Sequence, residues 1–297
     1  MVARGRRVML VMVQGTMPRN RRTRLQSVAD GVDKLLFESD PPEALVARLQ
    51  GWMGMSPEFW SGAGWHETHY CPERWQGIGH WPAEMPTRPA GDATRVSQSR
   101  RDVTQVAQGC RVSGSWLELL VAVVVWGYKP TDYGPSRLAK MLQCDCHSQV
   151  PSEQRQQRLA SAVSILDDYG PVAAYRALRD GCRVPHLGPA FFSKFLYFAD
   201  ASINRKAGDR VAAIILDQTT ARRMISVSRE YLRASGPHSS AQHEAITWVW
   251  HRSNWSGHRY GIYCEWASRC AKYMAEVHGW PQEADLIELA LFKMTDF

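Results

Sequence analysis

From Ser113 to the C terminus the chain reads as one amphipathic segment after another, with apolar residues three and four apart and a helix start or stop between segments. Ser113 or Ser115 can cap an apolar helix over 116–126. Gly134-Pro135 opens another, which carries Arg137, Lys140 and Met141. Pro151-Ser152-Glu153 starts a helix ending near Asp167. Pro171 suits the first turn of a helix over 171–180, and Gly181 ends it. Pro189 starts 189–200, and further helices are expected over 219–234, 239–252, 259–278 and 282–293. No alternating strand pattern interrupts this half. Such a body is mainly α.

The first third is different. Residues 25–60 read as helical, with Pro41-Pro42 dividing them and Glu43 to Met53 repeating apolar residues at helical spacing. Residues 61–112 are rich in Gly, Pro, Trp and His, with a polar second half, and five of the twelve tryptophans lie between Trp52 and Trp81. Irregular structure with short elements is expected there, with room for a strand or two. The expected organisation is a basic, flexible arm over 1–24, an N-terminal region over 25–112, and a helical core over 113–297 with a hairpin near 181–200. The longest apolar run, Leu117 to Trp126, is interrupted by Glu118 and is too short for a membrane helix. Seven cysteines without regular spacing point to a reducing compartment, so a cytoplasmic protein is expected; no membrane partner and a monomeric state are expected as well.

Charge is unevenly placed. The formal net charge is +7, and residues 1–24 hold seven arginines and no acid, so that arm carries the whole excess. A basic arm engages nucleic acid or acidic lipid, or serves only as a solubilising tail. A second excess lies over 203–233, where Arg205, Lys206, Arg210, Arg222, Arg223, Arg229 and Arg233 face three acids, a local +4. A phosphate backbone needs such a surface; a solvated helix face is the plainer account.

The most informative stretch is Gly181-Cys182-Arg183-Val184-Pro185-His186-Leu187-Gly188-Pro189-Ala190, followed by Phe191-Phe192-Ser193-Lys194-Phe195-Leu196-Tyr197-Phe198-Ala199. Two helices meet through a tight turn, and the unpaired N–H groups opening the second helix form a phosphate seat. Lys194 stands among five large apolar side chains. Loss of hydration there would lower its pKa and free the amine for attack, whereas snorkelling would leave the ammonium in water. Asp217 ends the apolar run Val211 to Leu216 and precedes the basic helix. It suits an N-cap, and equally a carboxylate beside a deoxyribose.

This order of parts resembles the helix-hairpin-helix DNA glycosylase superfamily, in its 8-oxoguanine glycosylase branch. Leu187 to Ala199, Ile214-Ile215-Leu216-Asp217 and the C-terminal Ile287-Glu288-Leu289-Ala290-Leu291-Phe292 are similar to bacterial members of that branch, and the resemblance covers roughly 113–297. It implies a two-lobed, mainly α fold gripping double-stranded DNA, with a damaged or modified base flipped out and excised. The target would be 8-oxoguanine or, since such proteins also occur in antiviral defence settings, a hypermodified phage base. By motif position Asp217 takes the place of the essential aspartate, stabilising positive charge on the sugar. Lys194 is the candidate nucleophile, leading to a Schiff base and strand cleavage; otherwise Asp217 activates water. His186, Leu187, Gly188, Arg205, Lys206, Arg222 and Arg223 are the expected DNA contacts. Three positions depart from the pattern. His186 stands at the first hairpin glycine, Ala190 at the usual lysine position with Lys194 one turn later, and Thr219 where histidine often follows the aspartate. These departures suit the alternative, a non-catalytic protein that binds DNA or senses a modified base.

Trp126, Tyr128 and Trp248 are candidates for a base pocket, against a plain role in the core. Gly134-Pro135 with Lys140 echoes Gly188-Pro189 with Lys194 and is a candidate second phosphate turn, or a coincidence of two proline-started helices. His66-Glu67-Thr68-His69-Tyr70-Cys71 and Cys144-Asp145-Cys146-His147 lack the paired spacing of structural zinc. Cys264 and Cys270 alone do not make a four-cysteine iron–sulfur site. No metal and no cofactor is expected.

Overall fold

A computed structural model describes residues 19–91, 93–128, 133–142, 151–203, 210–251 and 253–295. Twelve α-helices and one two-stranded sheet lie among them. The N-terminal region supplies α1 (Arg19–Glu38), α2 (Glu43–Gly54), short 3-10 turns, β1 (Glu67–Tyr70), β2 (Val96–Ser99) and α3 (Arg100–Ser113). Then come α4 (Trp116–Gly127), α5 (Tyr133–Leu142), α6 (Ser152–Tyr169), α7 (Pro171–Arg179) and α8 (Pro189–Ala201). After the apolar run follow α9 (Gln218–Ala234), α10 (Ser240–Trp250), α11 (Gly257–His278) and α12 (Ala284–Lys293). Arg19 to Arg24, placed in the arm by charge alone, begin α1.

Local chemistry explains most boundaries. Ser99 caps α3 by accepting from the Asp102 N–H, and the Asp102 carboxylate accepts from the Ser99 N–H in return. Ser239 with Gln242 and Asp217 with Thr220 make the same reciprocal boxes at α10 and α9. Gly279 ends α11 in the left-handed conformation. At α4 the expected serine cap is not formed: Ser115 sits at the cap position without a side-chain bond, and the Leu117 N–H donates to Gln156 Oε1 of α6 at 2.9 Å. A neighbouring helix satisfies the orphan donor instead.

The largest departure from the sequence reading is α3, in a stretch expected to be irregular. Its apolar stripe is sparse, Val103, Val106, Ala107 and Cys110, but all four are buried. The preceding β2 pairs antiparallel with β1, Glu67 opposite Ser99 and Tyr70 opposite Val96.

The helices fall into two packing groups. In the first, α4 is apolar except for half-buried Glu118, and its residues from Leu119 to Trp126 are all buried, as in a central helix. It packs on α3, α5, α6, α8 and β1, while α6 and α8 pack on α7. In the second, α1 lies along α10 and touches α9 and α11, and α12 packs on α2, α9 and α11. The α7–α11 contact joins them, and one core cluster runs through both, from Val32 to Met294. Among the described residues no helix is long and apolar enough to cross a membrane.

Candidate functional site

The segment over 211–216 runs between α8 and α9 with no regular secondary structure and no strand partner among the described residues, and its last four residues are fully buried. Its backbone groups therefore need side-chain partners. Asp200 accepts from the Ala213 N–H at 2.8 Å and pairs with Arg210. The Tyr260 hydroxyl donates to the Ile214 carbonyl at 3.0 Å. Ser193 completes the clip: its Oγ donates to the Leu216 carbonyl at 3.1 Å and accepts from the Leu216 N–H at 3.2 Å. Ser193 precedes Lys194 and Leu216 precedes Asp217, so this clip sets the register of the next pair.

Lys194 Nζ lies 3.2 Å from Asp217 Oδ2, with side chains 8% and 17% exposed. The two residues come from the two packing groups, so the pair sits at their seam. Asp217 also caps α9, its Oδ1 accepting from the N–H groups of Thr219 at 2.9 Å and Thr220 at 3.1 Å. One carboxylate oxygen thus serves the fold and the other faces the lysine. Burial by itself pushes the Asp217 carboxyl up; the Lys194 ammonium and the two amides outweigh it and hold the group below its ordinary value.

The lysine stem is enclosed on one side. A Cβ at Gly127 would lie 2.9 Å from Phe191 Cε1 and 3.2 Å from Lys194 Cδ, so only glycine leaves room there. Lys194 Nζ lies 5.6 Å from the centre of the Phe191 ring. Tyr128 stacks on that ring at 4.6 Å and 24°, and exposed Tyr133 meets Tyr128 edge-on. Phe191, Tyr128 and Tyr133 thus form an aromatic wall beside the lysine.

The hairpin turn precedes α8. His186 has φ of 63°, the left-handed region that glycine occupies most easily, and its carbonyl accepts from Arg137 at 2.8 Å. Gly188 has an ordinary extended backbone, and a Cβ there would meet nothing within 4 Å. Neither its own torsions nor any packed neighbour calls for glycine at 188. The Phe191 and Phe192 N–H groups donate to the Gly188 carbonyl. The N–H groups of Gly188 and Ala190 find no acceptor among the described residues. The Leu187 side chain is buried in the core, so it does not face outward from the turn as a contact with DNA would.

The other candidates are scattered. Arg222 is exposed and Arg223 half-buried on the first turns of α9, near Asp217 in sequence. Arg205 and Lys206 lie outside the described residues. Trp126 is no pocket wall: its ring is buried edge-on to Phe198 and His66. Trp248 lines a separate cavity of about 440 Å³ with Arg229, His243, Glu244, Thr247 and His251, which includes neither Lys194 nor Asp217. The echo at Gly134 also differs, since Gly134 is buried and Lys140 exposed.

Behind the pair lies a cluster that the sequence did not suggest. Arg100 is buried, donating to Glu288 at 2.7 Å and to His66 Nδ1 at 3.3 Å, with its guanidinium over the Trp126 and Tyr197 rings. Tyr197 donates to Asp285 at 2.7 Å. Burial lifts Glu288 to about 7 against the pull of Arg100, and the charges of Asp217 and Asp285 add to the rise. Burial, then Arg100 and Lys293, lowers His66 to about 3, so its imidazole stays neutral. His66 Nδ1 is thus an acceptor in the core; the Cys144–His147 cluster lies outside the described residues. Cys264 and Cys270 are buried free thiols pushed up to about 12.

A family model described as "Putative 8-oxoguanine DNA glycosylase OGG-like protein" matches residues 62–292. The match takes in β1, β2 and α3 as well as the helical core. No curated protein and no solved structure matches the chain.

Proposed function

The chain belongs to the 8-oxoguanine DNA glycosylase OGG-like family, and from that premise we propose that it is a DNA N-glycosylase acting on a flipped-out damaged or modified base in double-stranded DNA. The observation that carries this reading is the Lys194–Asp217 pair, largely buried at the seam of the two helix groups and set in register by Ser193. In the reaction the Lys194 ammonium gives up a proton to solvent, Asp217 stays a carboxylate, and the neutral amine attacks the sugar C1′. The C1′–N bond breaks as the C1′–Nζ bond forms, and the base leaves with the electron pair and takes a proton. The Asp217 carboxylate stabilises the positive charge that builds on the sugar. Opening of the sugar ring gives a Schiff base, from which β-elimination cleaves the strand. If Lys194 only positions Asp217, the carboxylate instead activates water and no adduct forms.

The turn at 186–190 is the proposed phosphate seat. Gly188 has room for an outside group to approach its backbone, and two N–H groups there find no acceptor among the described residues. Arg222 and Arg223 extend the positive face, and Phe191 with Tyr128 offers flat rings to a base beside the lysine. A non-catalytic, base-sensing protein is the second reading. It is favoured by the engagement of Lys194 with a carboxylate that also caps a helix.

The test is base release from a panel of duplexes carrying 8-oxoguanine, uracil or alkylated bases, together with phage DNA bearing hypermodified bases. Release by the wild type that is lost in Asp217→Asn supports the enzyme. A borohydride-trapped adduct that disappears in Lys194→Gln identifies the nucleophile. A folded, DNA-bound protein that releases no base from any of these overturns the catalytic reading.

A further inference from the structure

Among the described residues, one group of side chains away from this site gathers metal-ligating atoms: Asp30 and Asp33 of α1 and His258 of α11. One potential ligand atom from each lies within 4.8 Å of the other two. Asp30 and Asp33 are three residues apart and share a helix face. His258 comes from the first turn of α11.

Asp33 provides an independent observation. It is only 6% exposed, and its Oδ1 accepts from Arg259 Nη1 at 2.6 Å. Its Oδ2 is buried and has no hydrogen-bond partner among the described residues. A carboxylate oxygen deprived of both water and donor is costly. A divalent metal ion, which bonds a carboxylate oxygen at about 2.1 Å, would supply the missing partner. Asp30 is likewise held by one oxygen, which accepts from Gln26 Nε2 at 2.7 Å. Carboxylates that ligate a metal are usually held by a hydrogen bond of their own, as both of these are at one oxygen. Asp30 and His258 are exposed, which leaves the ion a route in and a position for water.

We propose that Asp30, Asp33 and His258 form a binding site for a first-row divalent cation of the Zn²⁺ type, bridging α1 and α11. The imidazole selects against Mg²⁺ and Ca²⁺, which take oxygen ligands. Arg259 reduces the negative charge of the two carboxylates without cancelling it. The ion would clamp α1, which precedes the family-matched residues, onto the core that carries the Lys194–Asp217 pair.

The test is Zn²⁺ titration of the full chain by calorimetry, with Tm measured in Zn²⁺ and in EDTA, for the wild type, Asp30→Asn and His258→Ala. Both substitutions fall on exposed side chains, so the fold is retained, whereas Asp33→Asn would disturb Arg259. The wild type should bind Zn²⁺ with a rise in Tm, each variant should weaken binding by at least about tenfold and lose the rise, and Mg²⁺ should produce neither. Absence of Zn²⁺ binding in the wild type, either variant binding as the wild type does, or Mg²⁺ binding as tightly as Zn²⁺ would overturn the proposal.

Discussion

Gly134-Pro135 with Lys140 and Gly188-Pro189 with Lys194 share one local pattern, a glycine, a proline and a lysine six residues after the glycine. Their surroundings make them opposites. At the first, a Cβ on Gly134 would lie 2.9 Å from Trp75 Cη2, so the glycine is needed by packing, and Lys140 points to solvent. At the second, the space beside Gly188 is open and the lysine is buried against a carboxylate. The helix after the first turn packs mainly on α4, whereas α8 is enclosed by α3, α4, α6 and α7. Sequence spacing makes a lysine available; the neighbours of its helix decide whether it meets water or an acid.

The comparison can be broken most directly at the two lysines. Lys194→Gln should lower base release by about 10³-fold or more, as loss of a nucleophile does, while Lys140→Gln stays within about twofold of the wild type; single-turnover assays on one substrate decide. Equal losses would mean that the turns are equivalent after all.

Acid should loosen the cover of the first turn. His66 lies next to β1, in the segment that also supplies Trp75. Its folded pKa is about 3, so between pH 6.5 and 3 the unfolded chain takes up a proton that the folded chain refuses. Stability therefore falls as pH drops through that window, by on the order of 5 kcal/mol for this group alone. Asp217 acts with the same sign, because its lowered pKa adds stability that is lost as pH falls below the ordinary carboxylate value. Denaturant titrations at pH 4 and pH 7 should show a smaller difference for His66→Gln than for the wild type.

Smaller effects separate the glycines. Gly134→Ala should destabilise by about 1–3 kcal/mol, because Trp75 is buried and has little room to move. Gly188→Ala should change stability by less than about 0.5 kcal/mol, yet weaken DNA binding several-fold if a phosphate approaches there. Chemical denaturation and DNA titration at fixed salt measure the two quantities independently.

Much of the fold is legible from spacing and caps. The helices after Ser113 match their sequence signals to within a few residues at each end, since periodic apolar residues and proline or glycine punctuation act locally. The helix α3 was not legible, because four small apolar side chains among polar ones carry a weak signal, and burial against α4 and α8 supplies the rest. Its Ser99-x-x-Asp102 box was the one readable clue. In the site, Asp217 could be read as a cap and Lys194 as a lysine among aromatics. Ser193, Tyr260 and Asp200 could not be read, because they act on the backbone of a segment distant in sequence. The aromatic candidates show the same limit: Tyr128 stands beside the lysine, Trp126 is in the core and Trp248 lines another cavity.

By itself the sequence determined that this chain is mainly α, where its helices after Ser113 start, and that a hairpin, a lysine and an aspartate follow one another in a glycosylase-like order. Those properties depend on torsional preference, side-chain period and caps, all of which act within a few residues. Only the tertiary structure decided that Lys194 meets Asp217 and Lys140 does not. It also decided that Arg100 is buried with Glu288, and that Asp33 keeps a buried oxygen without a partner among the described residues. Those outcomes follow from which helices pack together and how far water is excluded, and neither is encoded in any short stretch of chain.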